Sequence, residues 1–331
     1  MISGGEPSTP PVPTKNPADL LAAAGGGDRV ALARLLSQVE RGGQAGHRAA
    51  AQAYRTGVEA DTVGITGAPG AGKSTLTARL IATARRAGVS QVGVLAVDPS
   101  SPFSGGAILG DRVRMQDHAL DPGVFIRSMA SRGHLGGLAA AVPEAVRIMG
   151  AAGFPLVLVE TVGVGQVEVE VATATDTTVV VVNPGWGDAI QANKAGLLET
   201  ADIFVINKAD RPGTREARRD LEQMLDLTTP GDWRPPVVET VASDGSGVDR
   251  LWEQITHHKS HLLADGRLER RRKVRLDREI AQLLAARIDY EVKRLLAGEA
   301  AGALTDRVVA HELDPYEAVQ AMMTTVLGES A

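Results

Sequence analysis

Cysteine is absent from the 331 residues, which excludes disulfides, thiolate nucleophiles and Cys-ligated metals and fits a reducing compartment. An excess of positive charge is missing too. The formal net charge is −5 and the pI is near 5.9, so neither nucleic acid nor an anionic membrane is expected as a partner. No apolar run is long enough to span a bilayer. The opening "MISGGEPSTPPVPTKNPADL" has neither a basic start nor an apolar stretch. Its Pro, Ser and Gly predict a disordered tail over the first ten to fifteen residues. A cytoplasmic protein is expected.

What is present is ordinary globular material: 44% hydrophobic and 23% charged residues, in a chain long enough for one large α/β domain with helical appendages. Three regions separate by pattern, 1–58, 59–262 and 263–331. In the first, Asn16-Pro17 and Asp28 read as helix starts, and Val30, Leu32, Leu35, Leu36 and Val39 fall close to one helical face. This is a short helical lead-in.

In the middle region "DTVGIT", "VGVLAV", "GVFIRS", "LVLVE", "TTVVVV", "IFVIN" and "VVETV" alternate with helical stretches. Most of these strands are apolar throughout, the pattern of strands covered on both faces. A mostly parallel sheet follows, with its site beyond the carboxyl ends of the strands. In the third region Leu276, Ile280, Leu283, Leu284, Ile288, Val292, Leu295 and Leu296 recur at helical spacing. A last helix starts at Asp314-Pro315 and carries Tyr316, Val319, Met322, Met323, Val326 and Leu327. These two amphipathic helices cover their apolar faces either on their own domain or on a second copy of the chain. The basic run "RLERRRKVR" reads as a solvated helix face.

"GAPGAGKST", formed by Gly67, Ala68, Pro69, Gly70, Ala71, Gly72, Lys73, Ser74 and Thr75, follows a strand and opens a helix. It fits G-x-x-x-x-G-K-[ST] in the context that motif requires. The glycines let main-chain N–H groups turn inward around phosphate oxygens, and the helix N-terminus adds its positive end. Lys73 should reach the β- and γ-phosphates, and the Ser74 hydroxyl should ligate Mg²⁺.

Downstream, "IFVINKAD" ends a strand in Asn207-Lys208-Ala209-Asp210, an N-K-x-D motif. The Asp210 carboxylate only accepts hydrogen bonds, which suits the ring N–H and exocyclic amine of guanine and makes GTP and GDP the expected ligands. After the next strand, "TVASDGSG" is either a further base-contacting loop, with Ser243 nearest the ring, or a plain turn.

Where many GTPases carry D-x-x-G, this chain has "ETVG" beginning at Glu160. That carboxylate need not touch Mg²⁺ directly, because it can hold a metal-bound water. Asp98 and Asp111 stand at comparable places; as alternatives, Asp98 forms a turn in "DPSSP" and Asp111 caps a helix.

The blocks "VDPSSPFSGGAILGDRVRM", "SRGHLGGL", "VETVGVGQVEVE" and "NPGWGDAIQANKAGLLETADIFVINKAD" resemble the methylmalonyl-CoA mutase-associated GTPases, the MeaB/ArgK-like family. The resemblance covers most of the chain from Asp61 to Asp210. It implies a GTPase domain of the signal-recognition and metallochaperone type, and a homodimer held by the C-terminal helices. The implied magnesium and switch residues are Ser74, Asp98, Asp111 and Glu160. The implied partner is the adenosylcobalamin-dependent methylmalonyl-CoA mutase, whose cofactor loading and protection would be gated by GTP.

Val164 stands where many GTPases place a water-orienting Gln, and Gln166 is the nearest substitute. Val167 departs from the small polar residue expected there. Two other readings compete. A metallochaperone GTPase would show Cys or a His-rich tract, and here only His257, His258 and His261 cluster, on a helix end expected to face solvent. An arginine/ornithine-type kinase matches an older description of the family, yet N-K-x-D argues against ATP.

Overall fold

The computed structural model describes residues 16–98, 118, 120–130, 137–161, 174–185, 200–227 and 232–328; for 98, 130, 137–140 and 324–328 it describes the main chain only. The seven expected strands form β1 (Asp61–Gly67), β2 (Val92–Asp98), β3 (Val124–Ala130), β4 (Leu156–Thr161), β5 (Thr177–Val182), β6 (Ile203–Asn207) and β7 (Val237–Thr240). They make one sheet in the order β3-β2-β4-β1-β5-β6-β7, every pairing parallel. All seven carboxyl ends therefore share one edge, with β1 at the centre.

Helices cover both faces, as the uniformly apolar strands require. On one face lie α4 (Lys73–Arg86), α6 (Thr214–Leu227) and α7 (Val248–Leu263), whose Leu76, Leu80, Leu221, Leu251 and Ile255 share a core with Ile65, Val180 and Phe204. On the other lie α1 (Pro17–Gly25), α2 (Arg29–Arg41), α3 (Gly43–Tyr54) and α5 (Gly137–Ala151). The lead-in is thus a layer of the sheet: Leu32, Leu35 and Leu36 are buried in one cluster with Val97, Val157 and Val159. Local capping sets where these helices begin. Asp28 Oδ1 accepts from Val30 N at 2.9 Å and Ala31 N at 3.0 Å, and Asn16 Oδ1 accepts from Ala18 N at 3.3 Å.

The basic run is not a solvated face. It opens α8 (Arg267–Leu296), and three of its arginines are fastened to the amino-terminal edge of the sheet. Arg271 Nη1 and Nη2 donate to the two Asp202 oxygens at 2.9 and 2.7 Å. Arg272 grips both Asp176 oxygens at 3.1 and 2.8 Å and also pairs with Glu59, while Arg275 Nη2 reaches Asp176 Oδ1 at 2.8 Å. The same carboxylates accept main-chain N–H groups, Thr62 N at 3.1 Å on Asp176 and Thr178 N at 2.8 Å on Asp202. Forked guanidinium–carboxylate pairs of this kind hold orientation as well as charge.

His258 also departs from its expected place: it is buried, at 1% exposure. Asp202 is an acceptor 3.3 Å from Nε2, so Nε2 carries the proton and Nδ1 accepts from the Thr177 hydroxyl at 2.9 Å. Burial pushes this imidazole down to about 4 from 6.5, against the pull of Asp202, whose charge Arg271 already neutralises. Asp176 moves the other way for a carboxylate: burial raises it, but Arg272 and Arg275 outweigh burial and bring it down to about 2 from 3.8.

The signs then assign two pH windows. His258 is neutral when folded and charges more readily when unfolded, so stability falls as pH drops from 6.5 to 4, by roughly 3 kcal/mol at most. The Asp176 contribution is present above 3.8 and is lost as pH falls toward 2. His258→Gln is expected to flatten guanidinium unfolding midpoints between pH 6.5 and 4. An unchanged slope in that window would show that His258 does not set it.

The chain divides into two compact units, one ending at Arg275 and one beginning at Leu276, within α8. The second unit comprises the rest of α8, α9 (Glu299–Val309) and α10 (Pro315–Gly328). The sequence pattern predicted two helices here. α9, "EAAGALTDRVV", is an additional short helix between them. α10 begins with a reciprocal cap, Asp314 Oδ1 accepting from Tyr316 N and Glu317 N while Glu317 Oε2 accepts from Asp314 N. No described helix is long and apolar enough to cross a membrane.

Candidate functional site

At the carboxyl edge of the sheet, β1 runs into the loop Gly67–Gly72 and α4 begins at Lys73. Main-chain geometry dictates glycine at two points. Gly67 has φ +134°, and a Cβ there would lie 2.0 Å from the Val181 carbonyl oxygen on neighbouring β5. Gly72 has φ +92°, and a Cβ there would lie 2.4 Å from Asn207 Nδ2. Gly72 also lacks a side chain to cap α4, so the first-turn N–H groups remain directed at the loop. Lys73 is buried and folds back along the loop, its Nζ donating to Gly67 O at 2.7 Å and Ala68 O at 3.2 Å.

β4 lies beside β1, and parallel register sets Glu160 opposite Ile65. This placement brings two of the four expected magnesium-site residues together: Ser74 Oγ donates to Glu160 Oε1 at 2.6 Å, with Glu160 fully buried. Thr161 Oγ1 donates to Thr66 Oγ1 at 3.1 Å just beside them. Asp98 ends β2, the strand on the other side of β4, but its side chain lies outside the described residues. Asp111 and Gln166 lie outside them altogether, as do Val164 and Val167.

β6 delivers the N-K-x-D stretch to the same edge. Asn207 is buried and acts as a strut: Nδ2 donates to Ala71 O at 2.7 Å, and Oδ1 accepts from Thr240 Oγ1 at 3.1 Å and Ala242 N at 3.0 Å. Lys208, at φ +58°, lies across the phosphate-type loop and donates from Nζ to Gly70 O at 2.6 Å. Asp210 and Ser243 are both exposed at this end. The loop carrying Ser243 is a closed turn, Gly245 N donating to Val241 O and Ser246 N to Asp244 Oδ1.

Three pieces far apart in sequence are thereby joined: loop 67–75, the end of β4, and the paired ends of β6 and β7. One contributor escaped sequence reading. Arg79, on α4, donates from Nε to Ala242 O at 3.1 Å and from Nη2 to Ser243 O at 2.5 Å. A single arginine on an amphipathic helix carries no signal that would separate it from a solvated one.

Comparison with known proteins agrees with this arrangement. Residues 32–296 match the family described as methylmalonyl Co-A mutase-associated GTPase MeaB. A Pyrococcus abyssi protein, provisionally named a GTPase, is 46% identical over 310 residues, covering 91% of this chain and 94% of its own. The mouse methylmalonic aciduria type A homolog, mitochondrial, is 37% identical over 215 residues, 63% of this chain and 52% of that protein. A solved structure titled as an LAO/AO transport system kinase superposes with a TM-score of 0.68 at 28% identity, covering 96% of this chain and 99% of that one. The chain, a parallel-sheet P-loop protein of guanine-nucleotide-binding fold, belongs to the methylmalonyl Co-A mutase-associated GTPase family, MeaB.

Proposed function

We propose that this protein is a Mg²⁺-dependent GTPase that gates the adenosylcobalamin-dependent methylmalonyl-CoA mutase, coupling hydrolysis to cofactor loading and to protection or reactivation of the mutase. The observation that carries the mutase link is the family match over residues 32–296. The nucleotide half rests on the site. Loop 67–75 would surround the phosphates, Lys73 would leave its loop carbonyls for the β- and γ-phosphate oxygens, and Asp210 would accept from the guanine edge.

The donor set fits the metal. A hydroxyl and a carboxylate, both hard oxygen ligands, lie 2.6 Å apart and buried at the foot of the loop. Ser74 and Glu160 would hold the ion or its waters, with Asp98 and Asp111 assigned by family resemblance. When bound, Mg²⁺ supplies charge neutralisation on the phosphate oxygens.

A homodimer forms part of the proposal. In the second unit Ile280, Leu284, Ile288, Val292 and Leu296 recur every four residues along α8, each at least 44% exposed. An apolar stripe of that length on a water-facing helix suits a second copy of the chain.

Val164 cannot orient water as Gln does, so the free protein should hydrolyse GTP slowly, and a partner that reorganises the switch could raise the rate by about 10³. Single-turnover assays with and without purified mutase test this, with light scattering on the same samples expected to give a dimer. Fast hydrolysis indifferent to the mutase, or a monomer, would refute the corresponding half. The kinase name of the structural relative motivates including arginine and ornithine as acceptors. Phosphoryl transfer to either would favour the kinase reading.

A further inference from the structure

Arg79 belongs to neither the phosphate-loop motif nor the N-K-x-D motif, yet it joins the parts that carry them. It lies six residues beyond Lys73, about 9 Å along the axis of α4. From an exposed position its guanidinium reaches over to two successive carbonyls, Ala242 O at 3.1 Å and Ser243 O at 2.5 Å. A planar fork can span two such acceptors, whereas an ammonium cannot hold both in one fixed geometry.

Two successive peptides at Ala242 are held, the preceding one through its N–H and the Ala242–Ser243 peptide through its carbonyl. Ala242 N donates to Asn207 Oδ1 at 3.0 Å, so that N–H is already committed. Asn207 in turn is tied to Ala71 O in the phosphate-type loop. The next N–H along, that of Ser243, belongs to the same peptide unit whose carbonyl Arg79 engages. Among the described residues it donates to no protein group, and Ser243 is exposed at the carboxyl edge of the sheet. A cationic donor on a peptide carbonyl polarises that peptide and makes its N–H a stronger donor.

Building on the guanine-nucleotide reading above, we infer that Arg79 is a positioning residue for base selection: it fixes and polarises the Ala242–Ser243 peptide so that Ser243 N–H meets the oxygen at position 6 of a 6-oxopurine nucleotide. Asp210 would read the neighbouring groups on the same edge, the ring N–H and the 2-amino group. Two reporters on different groups of one base predict separable losses.

The test uses the full chain and competition against a fluorescent GDP, with GDP, IDP, ADP and the 2,6-diaminopurine riboside diphosphate as probes. Arg79→Met keeps the aliphatic stem and removes both donors. It is expected to weaken GDP and IDP each by roughly tenfold, the scale of a hydrogen bond to a charged group, and the 2,6-diaminopurine nucleotide by no more than about twofold. Arg79→Lys, limited to one carbonyl, should lie between wild type and Arg79→Met for the two 6-oxo nucleotides. Asp210→Asn should instead erase the preference for GDP over IDP.

Arg79→Met at wild-type GDP affinity would overturn the inference. So would an equal loss for all probes, which would mark a purely structural tie, or Arg79→Lys at wild-type affinity. A wild-type protein with no preference for GDP over ADP would instead sink the guanine reading beneath it.

Discussion

Glu160→Gln is expected to slow single-turnover GTP hydrolysis by about 10²-fold while leaving GDP affinity within about threefold. The substitution keeps shape and retains an acceptor for the Ser74 hydroxyl, now 2.6 Å from Glu160 Oε1, but removes the charge. Glu160 is fully buried, and an uncharged amide there cannot hold a cation or order its waters as a carboxylate does. On the proposed reading, GDP binding would depend more on loop 67–75 and on Asp210, which the change leaves intact. The difference should therefore appear in the chemical step, where phosphoryl transfer depends on positioning and charge stabilisation. A variant that melts near the wild-type temperature and hydrolyses at the wild-type rate would remove Glu160 from the site.

Gly67→Ala is the second large effect, and its cause is steric. The added Cβ meets Val181 O at 2.0 Å and Val181 C at 2.8 Å, both main-chain atoms of a central strand that cannot rotate aside. A φ of +134° adds a conformational cost that no L side chain escapes. Overpacking and backbone strain together should cost about 3–5 kcal/mol. Nucleotide binding should be lost as well, because admitting the Cβ would force β1 and β5 apart at the point where the loop begins.

Gly70→Ala is the matched control. Its φ is +71°, but no atom lies within 4 Å of the new Cβ, so only the conformational cost of about 1 kcal/mol remains. Thermal melts and GDP titration of the pair check this. Comparable behaviour of the two variants would mean that the close approach to Val181 is not what demands glycine.

Much of this protein is written locally in its sequence. Loop 67–75 and Asn207-Lys208-Ala209-Asp210 are contiguous, and each requires particular residue types at fixed offsets, so both were legible before any fold was known. The apolar strands fixed the parallel sheet because only strands covered on both faces read that way, and Asn16, Asp28 and Asp314 marked helix starts through bonds to residues two or three positions away. What the sequence could not show are pairings between distant segments. "RLERRRKVR" has the composition of a solvated face, and only the approach of α8 to the amino ends of β5 and β6 turns Arg271, Arg272 and Arg275 into clamps on Asp202 and Asp176. His258 reads as solvent-facing until the fold buries it against Thr177 and Asp202. Ser74 and Glu160, 86 positions apart, meet only because β4 pairs with β1 in one register. Arg79 reaches across 163 positions to Ala242. Short-range patterns record what a residue prefers, whereas burial and long-range partners are properties of the assembled sheet, and those decided which charges are structural and which face the site.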